Sequence, residues 1–188
     1  MKHAPDAFVF MKVGDHAGET FEQILARKNK EFQDAGRIFW GYGGTACHPL
    51  NQVQPFVKLL EDEMGSVSLL MEPIHSNANP LIAPATQFSS DGVHWEDIPD
   101  GISVTGSRYA LVLGEIKPVE FDIDTNLFEV GAGPSTGKVA TDYMRGRIDK
   151  ACLISSKTVA AGESKRIRKI GMSAELIAPY AVLVRNDE

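Results

Sequence analysis

Residues 7–36, AFVFMKVGDHAGETFEQILARKNKEFQDAG, change their hydrophobic period partway along, and that change sets the fold class. Ala7 to Val13 is an apolar, β-favouring run that stops at Gly14-Asp15, the pattern of an opening strand. From Thr20 onward the spacing becomes helical, with Phe21, Ile24, Leu25, Lys28 and Phe32 on one face. Thr20 and Gln23 form a capping-box pattern, and Gly36 stands where a left-handed residue ends a helix. The first element is thus a strand and the second a helix.

Outward from this stretch the punctuation continues. Arg37 to Trp40 reads as a second strand that runs into Gly41-Tyr42-Gly43-Gly44-Thr45 and then Cys47-His48-Pro49. A second helix is expected from Asn51, with Val53, Phe56, Val57 and Leu60 on its apolar face, Pro55 tolerated as a first-turn residue, and Gly65 closing it. Ser66 to Met71 is a buried strand, and Pro73, Asn77, Asn79, Pro80 and Pro84 punctuate a loop. Gln87 to Ile98 reads as a hairpin about Ser90-Asp91-Gly92. Further strands are expected at Tyr109–Ile116, Asp122–Val130, Ala151–Ile154 and within Ile170–Val184, with a loop over Gly131–Gly137 and a short helix over Val139–Arg147.

Strands therefore outnumber helices, and the convincing helices fall in the first half of the chain. That pattern predicts an α+β domain spanning 1–188, with two to three helices on a curved, mixed or mainly antiparallel sheet, open to closing as a partial barrel. A doubly wound parallel sheet would need a more regular alternation. The layout resembles that of PUA-like domains, where a curved sheet carries helices and an aromatic-lined pocket, and the resemblance is one of topology without a family motif. Layout does not fix function.

The bulk composition removes several classes. Hydrophobic residues make up 43% of the 188 and charged residues 23%, enough apolar surface for a core without disulfide or metal staples. A formal charge of -6 speaks against a protein whose affinity comes from neutralising many phosphates, so nucleic acid is not the favoured partner. The start Met1-Lys2-His3-Ala4-Pro5-Asp6 has no apolar signal region, and the longest apolar run, Leu176 to Val184, is short for a bilayer and broken by Pro179. A soluble, cytoplasmic protein is the expectation. Cys47 and Cys152 form no CxxC pair, so neither a disulfide framework nor a zinc site is indicated.

Chemistry concentrates in Phe39 to Pro49. Trp40 and Tyr42 supply flat faces, while Gly43, Gly44 and Thr45 let a ligand approach the backbone. Aromatic residues in a tight turn also fill cores, and that reading competes on even terms. Cys47 beside His48 suggests a nucleophile, yet neighbours on an extended backbone point to opposite faces, so an activating base must come from elsewhere. Gly131 to Lys138 imitates a phosphate loop but has Ala132 where a glycine is required and Val139 where a hydroxyl is required. An anion contact through Ser135, Thr136 and Lys138 survives without hydrolysis. Glu115, Glu120, Asp122 and Asp124 read as a solvated strand face and not as a metal site. Lys165, Arg166, Arg168 and Lys169 are the one concentrated basic segment.

These residues predict a domain that binds a nucleotide, modified base or similar planar polar ligand, with no cofactor specified. Two alternatives stand beside it: a hydrolase or transferase using Cys47, and a protein-interaction module. Lys138→Ala is expected to leave any NTP hydrolysis unchanged. Magnesium-dependent hydrolysis lost with that substitution would restore the phosphate-loop reading.

Overall fold

The computed structural model describes residues 4–44, 47–76, 81–146, 148–158 and 164–186. Thr45, Asn77, Asn79, Pro80 and Arg147, singled out above, lie outside the described residues. The chain begins with β1 (Ala7–Val13), α1 (Phe21–Ala35), β2 (Ile38–Gly41), α2 (Leu50–Met64) and β3 (Ser68–Pro73). It continues through β4 (Gln87–Ser89), β5 (Glu96–Asp97), β6 (Tyr109–Leu113), β7 (Lys117–Asp124) and β8 (Phe128–Val130). It ends with α3 (Ala140–Tyr143), β9 (Lys150–Ser155) and β10 (Ile167–Arg185). Among the described residues no helix is long and apolar enough to cross a membrane.

Local chemistry explains where the helices begin and end. Thr20 Oγ1 accepts the Gln23 N–H at 3.3 Å and Gln23 Oε1 accepts the Thr20 N–H at 2.8 Å, a complete capping box. Gly36, at φ 69°, closes α1 by donating to the Phe32 carbonyl. α2 starts one residue earlier than its spacing suggested, with Pro49 as N-cap, so Pro55 falls in the second turn and not the first. It therefore costs the Asn51 carbonyl its helical donor, a group that sits on the exposed side.

The strands form one mixed, mainly antiparallel sheet of order β2-β6-β10-β3-β1-β9-β8, which does not close. β1 and β3 run parallel, Val9 opposite Leu69 and Val13 opposite Pro73. β10 organises the rest. Its first half pairs with β7 on one side and β3 on the other, and its second half pairs with β6 and β4. The register shifts between Leu176 and Ala181, where Tyr180 takes φ 67°, so one strand serves two differently directed parts of the sheet. The strand expected over Asp122–Val130 is broken into β7 and β8 by a 3-10 turn at Thr125–Leu127. Asp124 Oδ1 accepts the N–H groups of Asn126 and Arg166, and the buried Thr125 and Asn126 side chains bond Thr141, Arg166 and Ser164. Those polar groups are satisfied only by turning. α3 is likewise shorter than the helix expected there.

Both faces of the central strands are covered, which explains why β1 reads as a continuous apolar run. Val9 packs with Val53, Val57, Leu69 and Trp40 on the side of α1 and α2, whereas Phe8 and Phe10 join Leu70, Ile123, Phe128 and Leu153 on the other. On α1, Ile24 is buried and Phe21, Leu25 and Phe32 pack half-buried against the first of these clusters. The remaining inward positions are charged. Lys28 and Glu31 are 3% and 0% exposed, and they form an ion pair at 2.9 Å.

This pair closes the sheet edge. β2 has β6 on one side only, and Phe39 faces outward with its N–H and C=O. Glu31 Oε2 accepts the Phe39 N–H at 3.1 Å and Lys28 Nζ donates to the Phe39 carbonyl. The same two side chains take the Ser103 N–H at 2.7 Å and the Ser103 carbonyl at 2.7 Å. Burial pulls the Lys28 ammonium down to about 8, opposed by the Glu31 carboxylate, so Lys28 keeps its proton at neutral pH. Glu31→Ala would strand Lys28 and two backbone N–H groups. The expected loss is about 3–5 kcal/mol, read as a lowered urea midpoint at an unchanged m-value. A loss below about 1 kcal/mol would mean that the edge is not held by this pair.

Candidate functional site

Where β1 and β3 end side by side, the chain turns outward at Gly14–Glu19 and Ile74–Ser76. The Gly41–Gly44 segment after β2, the Ser103–Ser107 segment before β6 and the Asp149–Lys150 start of β9 converge on the same place. Together they enclose a cleft of about 470 Å³, the size range of small-molecule sites and at the carboxyl ends of the parallel pair. A more open depression of about 720 Å³ lies beside it, lined by Ile82, Arg108 and Arg185 and sharing Val104, Gly106 and Ser107. That depression has no aromatic wall, and the cleft does.

Trp40 is that wall. It is 4% exposed, so it offers a narrow strip of ring and not a whole face, and its Nε1–H donates to the Met11 sulfur at 3.1 Å. A thioether is a weak acceptor. Gly43 also borders the cleft, and its lack of a side chain is required: a Cβ there would stand 2.4 Å from the Tyr109 ring. Gly44 lies alongside. Tyr42, by contrast, is fully buried behind the wall, with its hydroxyl donating to the Phe10 carbonyl at 3.2 Å and its ring tilted against Tyr109. Of the aromatic pair, Trp40 reaches the cleft and Tyr42 belongs to the core.

Charge in the cleft is mostly paired. Arg27 binds Glu19 through two bonds of 2.9 and 2.6 Å and donates to the Ser103 carbonyl, and this bond holds the Glu19 carboxyl below its usual range. Asp15 Oδ1 accepts the Phe21 N–H at 2.9 Å, fixing the start of α1. Lys150 is the exception, with Asp149 Oδ1 at 3.6 Å, within ion-pair range but beyond hydrogen-bond reach. Lys12 follows Met11 on β1 and turns to the opposite face, where burial and the nearby Arg168 lower its pKa. Arg168 of the basic segment lies on that far side too, 3.6 Å from Glu72.

Cys47 and His48 are held by different partners. The Gly44 N–H donates to Cys47 Sγ at 3.1 Å, while His48 Nδ1 meets Gln52 Oε1 at 3.2 Å and the imidazole stacks on Tyr143 at 5.7 Å. Neither residue lines the cleft. Burial lowers the His48 pKa below its ordinary 6.5, with the Gln52 bond opposing, so the ring is neutral at pH 7. Ser135, Thr136 and Lys138 also lie away from the cleft, in a loop closed on itself by the bonds Thr136 Oγ1 to Gly133 O and Lys138 N to Ser135 O. Among the described residues no cluster of three or more His, Cys, Asp or Glu side chains could hold a metal ion.

Sequence reasoning did not single out Lys150, Arg27, Glu19 or Ser103–Ser107 as site residues. They arrive from four separate stretches, and one local signal was available: Gly14-Asp15-His16 follows a strand and precedes a capped helix. Comparison with known protein families, curated proteins and solved structures finds no match to this chain. The resemblance to PUA-like domains therefore rests on layout alone.

The His48 environment sets a pH dependence. Its folded pKa lies below the unfolded value of 6.5, so its neutral burial contributes stability above pH 6.5 that is lost as pH falls toward the folded pKa. NMR titration of the ring is expected to show a midpoint below 6.5. His48→Gln is expected to flatten the loss of stability in that window, and an unshifted midpoint would place the ring in water.

Proposed function

We propose that this chain is a binding domain for a small planar polar ligand of the nucleotide or modified-base class, seated in the cleft against Trp40. The supporting observation is that Trp40, Gly43 and Gly44 border a cleft into which cationic and backbone groups from four other segments also project. A planar ring packs against the indole strip, and a ligand acceptor gives the Trp40 N–H a stronger partner than the Met11 sulfur. The net charge of -6 disfavours a polyanionic partner and leaves a small molecule as the fitting one. A cytoplasmic setting accompanies this reading, because Cys47 and Cys152 stand as free thiols.

Mass spectrometry of gently purified protein identifies a retained ligand, and affinity for it then tests the wall. Trp40→Phe keeps an aromatic edge and loses the N–H, whereas Trp40→Ala loses both. The alanine variant is expected to bind roughly tenfold more weakly, the low end of a stacking contact because so little of the ring is open. Circular dichroism and urea titration run in parallel, since removing a buried indole costs about 3–5 kcal/mol on its own. A folded alanine variant that binds as tightly as the parent sinks the assignment.

A further inference from the structure

We propose, resting on the cleft reading above, that the ligand carries a single negative charge, a monoanionic oxyanion attached to its planar ring, and that Lys150 is the ion partner of that group. Lys150 opens β9 opposite Met11, so its side chain lies on the Met11 and Trp40 side of the sheet. Only 16% of that side chain is exposed. Its ammonium has three donors and no hydrogen-bond acceptor among the described residues: Asp149 Oδ1 at 3.6 Å is too distant, and the Tyr42 ring centre lies 5.9 Å away. An ammonium withdrawn this far from water is costly until an acceptor meets it.

The open side of Lys150 faces Gly44. A Cβ on Gly44 would stand 4.0 Å from Nζ, so the missing side chain leaves room for a ligand atom beside the ammonium. Arg27 is spent on Glu19 and Ser103 and Lys28 on Glu31, and Lys12, next to Met11 on β1, is on the opposite face of the strand by alternation. The carboxylates of Asp15, Glu19 and Asp149 share the cleft. A dianion would add repulsion against these three, and a neutral ring offers the ammonium an acceptor but no charge to balance it. One negative charge spread over two or more oxygens satisfies both constraints.

The chain has two tryptophans, and Trp95 packs under Arg185 at 3.9 Å, so Trp95→Phe leaves Trp40 as the sole indole reporter. In that background, the four common ribonucleosides are titrated as the neutral nucleoside, the 5′-monophosphate dianion and the 3′,5′-cyclic monophosphate monoanion. At least one cyclic monoanion is expected to change Trp40 fluorescence and to bind about tenfold or more tightly than its nucleoside and its 5′-monophosphate. Lys150→Gln is expected to bring the cyclic ester down to the nucleoside level with nucleoside affinity unchanged, and Lys150→Arg to keep the preference. Lys150→Met gives the same comparison if the glutamine variant unfolds at a lower urea midpoint. Nucleosides or dianions binding as tightly as the monoanions, or a preference that survives Lys150→Gln, would overturn the role of Lys150 and leave the cleft reading standing. No response of Trp40 to any of these compounds in a folded protein would overturn both.

Discussion

A sheet that ends on β2 has to satisfy the outward N–H and C=O of Phe39, and the structure does so with one ion pair from a helix. Lys28 and Glu31 together present a donor and an acceptor toward Phe39 and another donor and acceptor toward Ser103. They take the place that a neighbouring strand would have held. Burying two charges is expensive, and the arrangement persists because the ammonium and the carboxylate meet each other and four backbone groups. The orientation of α1, the edge of the sheet and the position of the Ser103–Ser107 segment are thereby set by the same bonds.

The cleft inherits its rigidity from that arrangement. Ser103 is clamped by Lys28, Glu31 and Arg27, and Arg27 is in turn fixed by Glu19 from the loop after β1. One side of the cleft is therefore built from charge already consumed in structure. The opposite side, Gly44 and Lys150, has no side chain at Gly44 and an ammonium without a hydrogen bond among the described residues. The asymmetry between a spent wall and an unspent one gives the site its direction. On the proposed reading, this asymmetry is what lets a net acidic chain seat a negative charge.

What was legible in the sequence was local. The capping box of Thr20 and Gln23, the glycine ends at Gly36 and Gly65 and the turn at Ser90-Asp91-Gly92 all act within a few residues, and each appears in the structure. The α+β class followed from counting such elements. Legibility failed where a residue's role depends on distant partners. Lys28 sits on the apolar stripe of α1 by spacing, yet its reason for being there is Phe39 and Ser103. The split between β7 and β8 depends on Arg166 and Thr141, which no window around residue 125 contains. Trp40 and Tyr42 are two residues apart and share a face by alternation, and the difference between cleft wall and core ring comes from the end of β2 at Gly41, beyond which Tyr42 packs against Tyr109. Lys150 is an ordinary strand-start lysine until β9 is laid against β1.

β10 makes pairs with β3, β4, β6 and β7, and it follows all of them along the chain. During synthesis those four strands leave the ribosome before the strand that joins them, so their edges and apolar faces wait unpaired. Helices α1 and α2 can form early from local signals, but the sheet cannot acquire its final connectivity until residues 167–185 have emerged. Folding of this chain is thus governed by long-range closure and not by the ease of its helices. The interval before β10 arrives is when newly made copies are most prone to associate with one another.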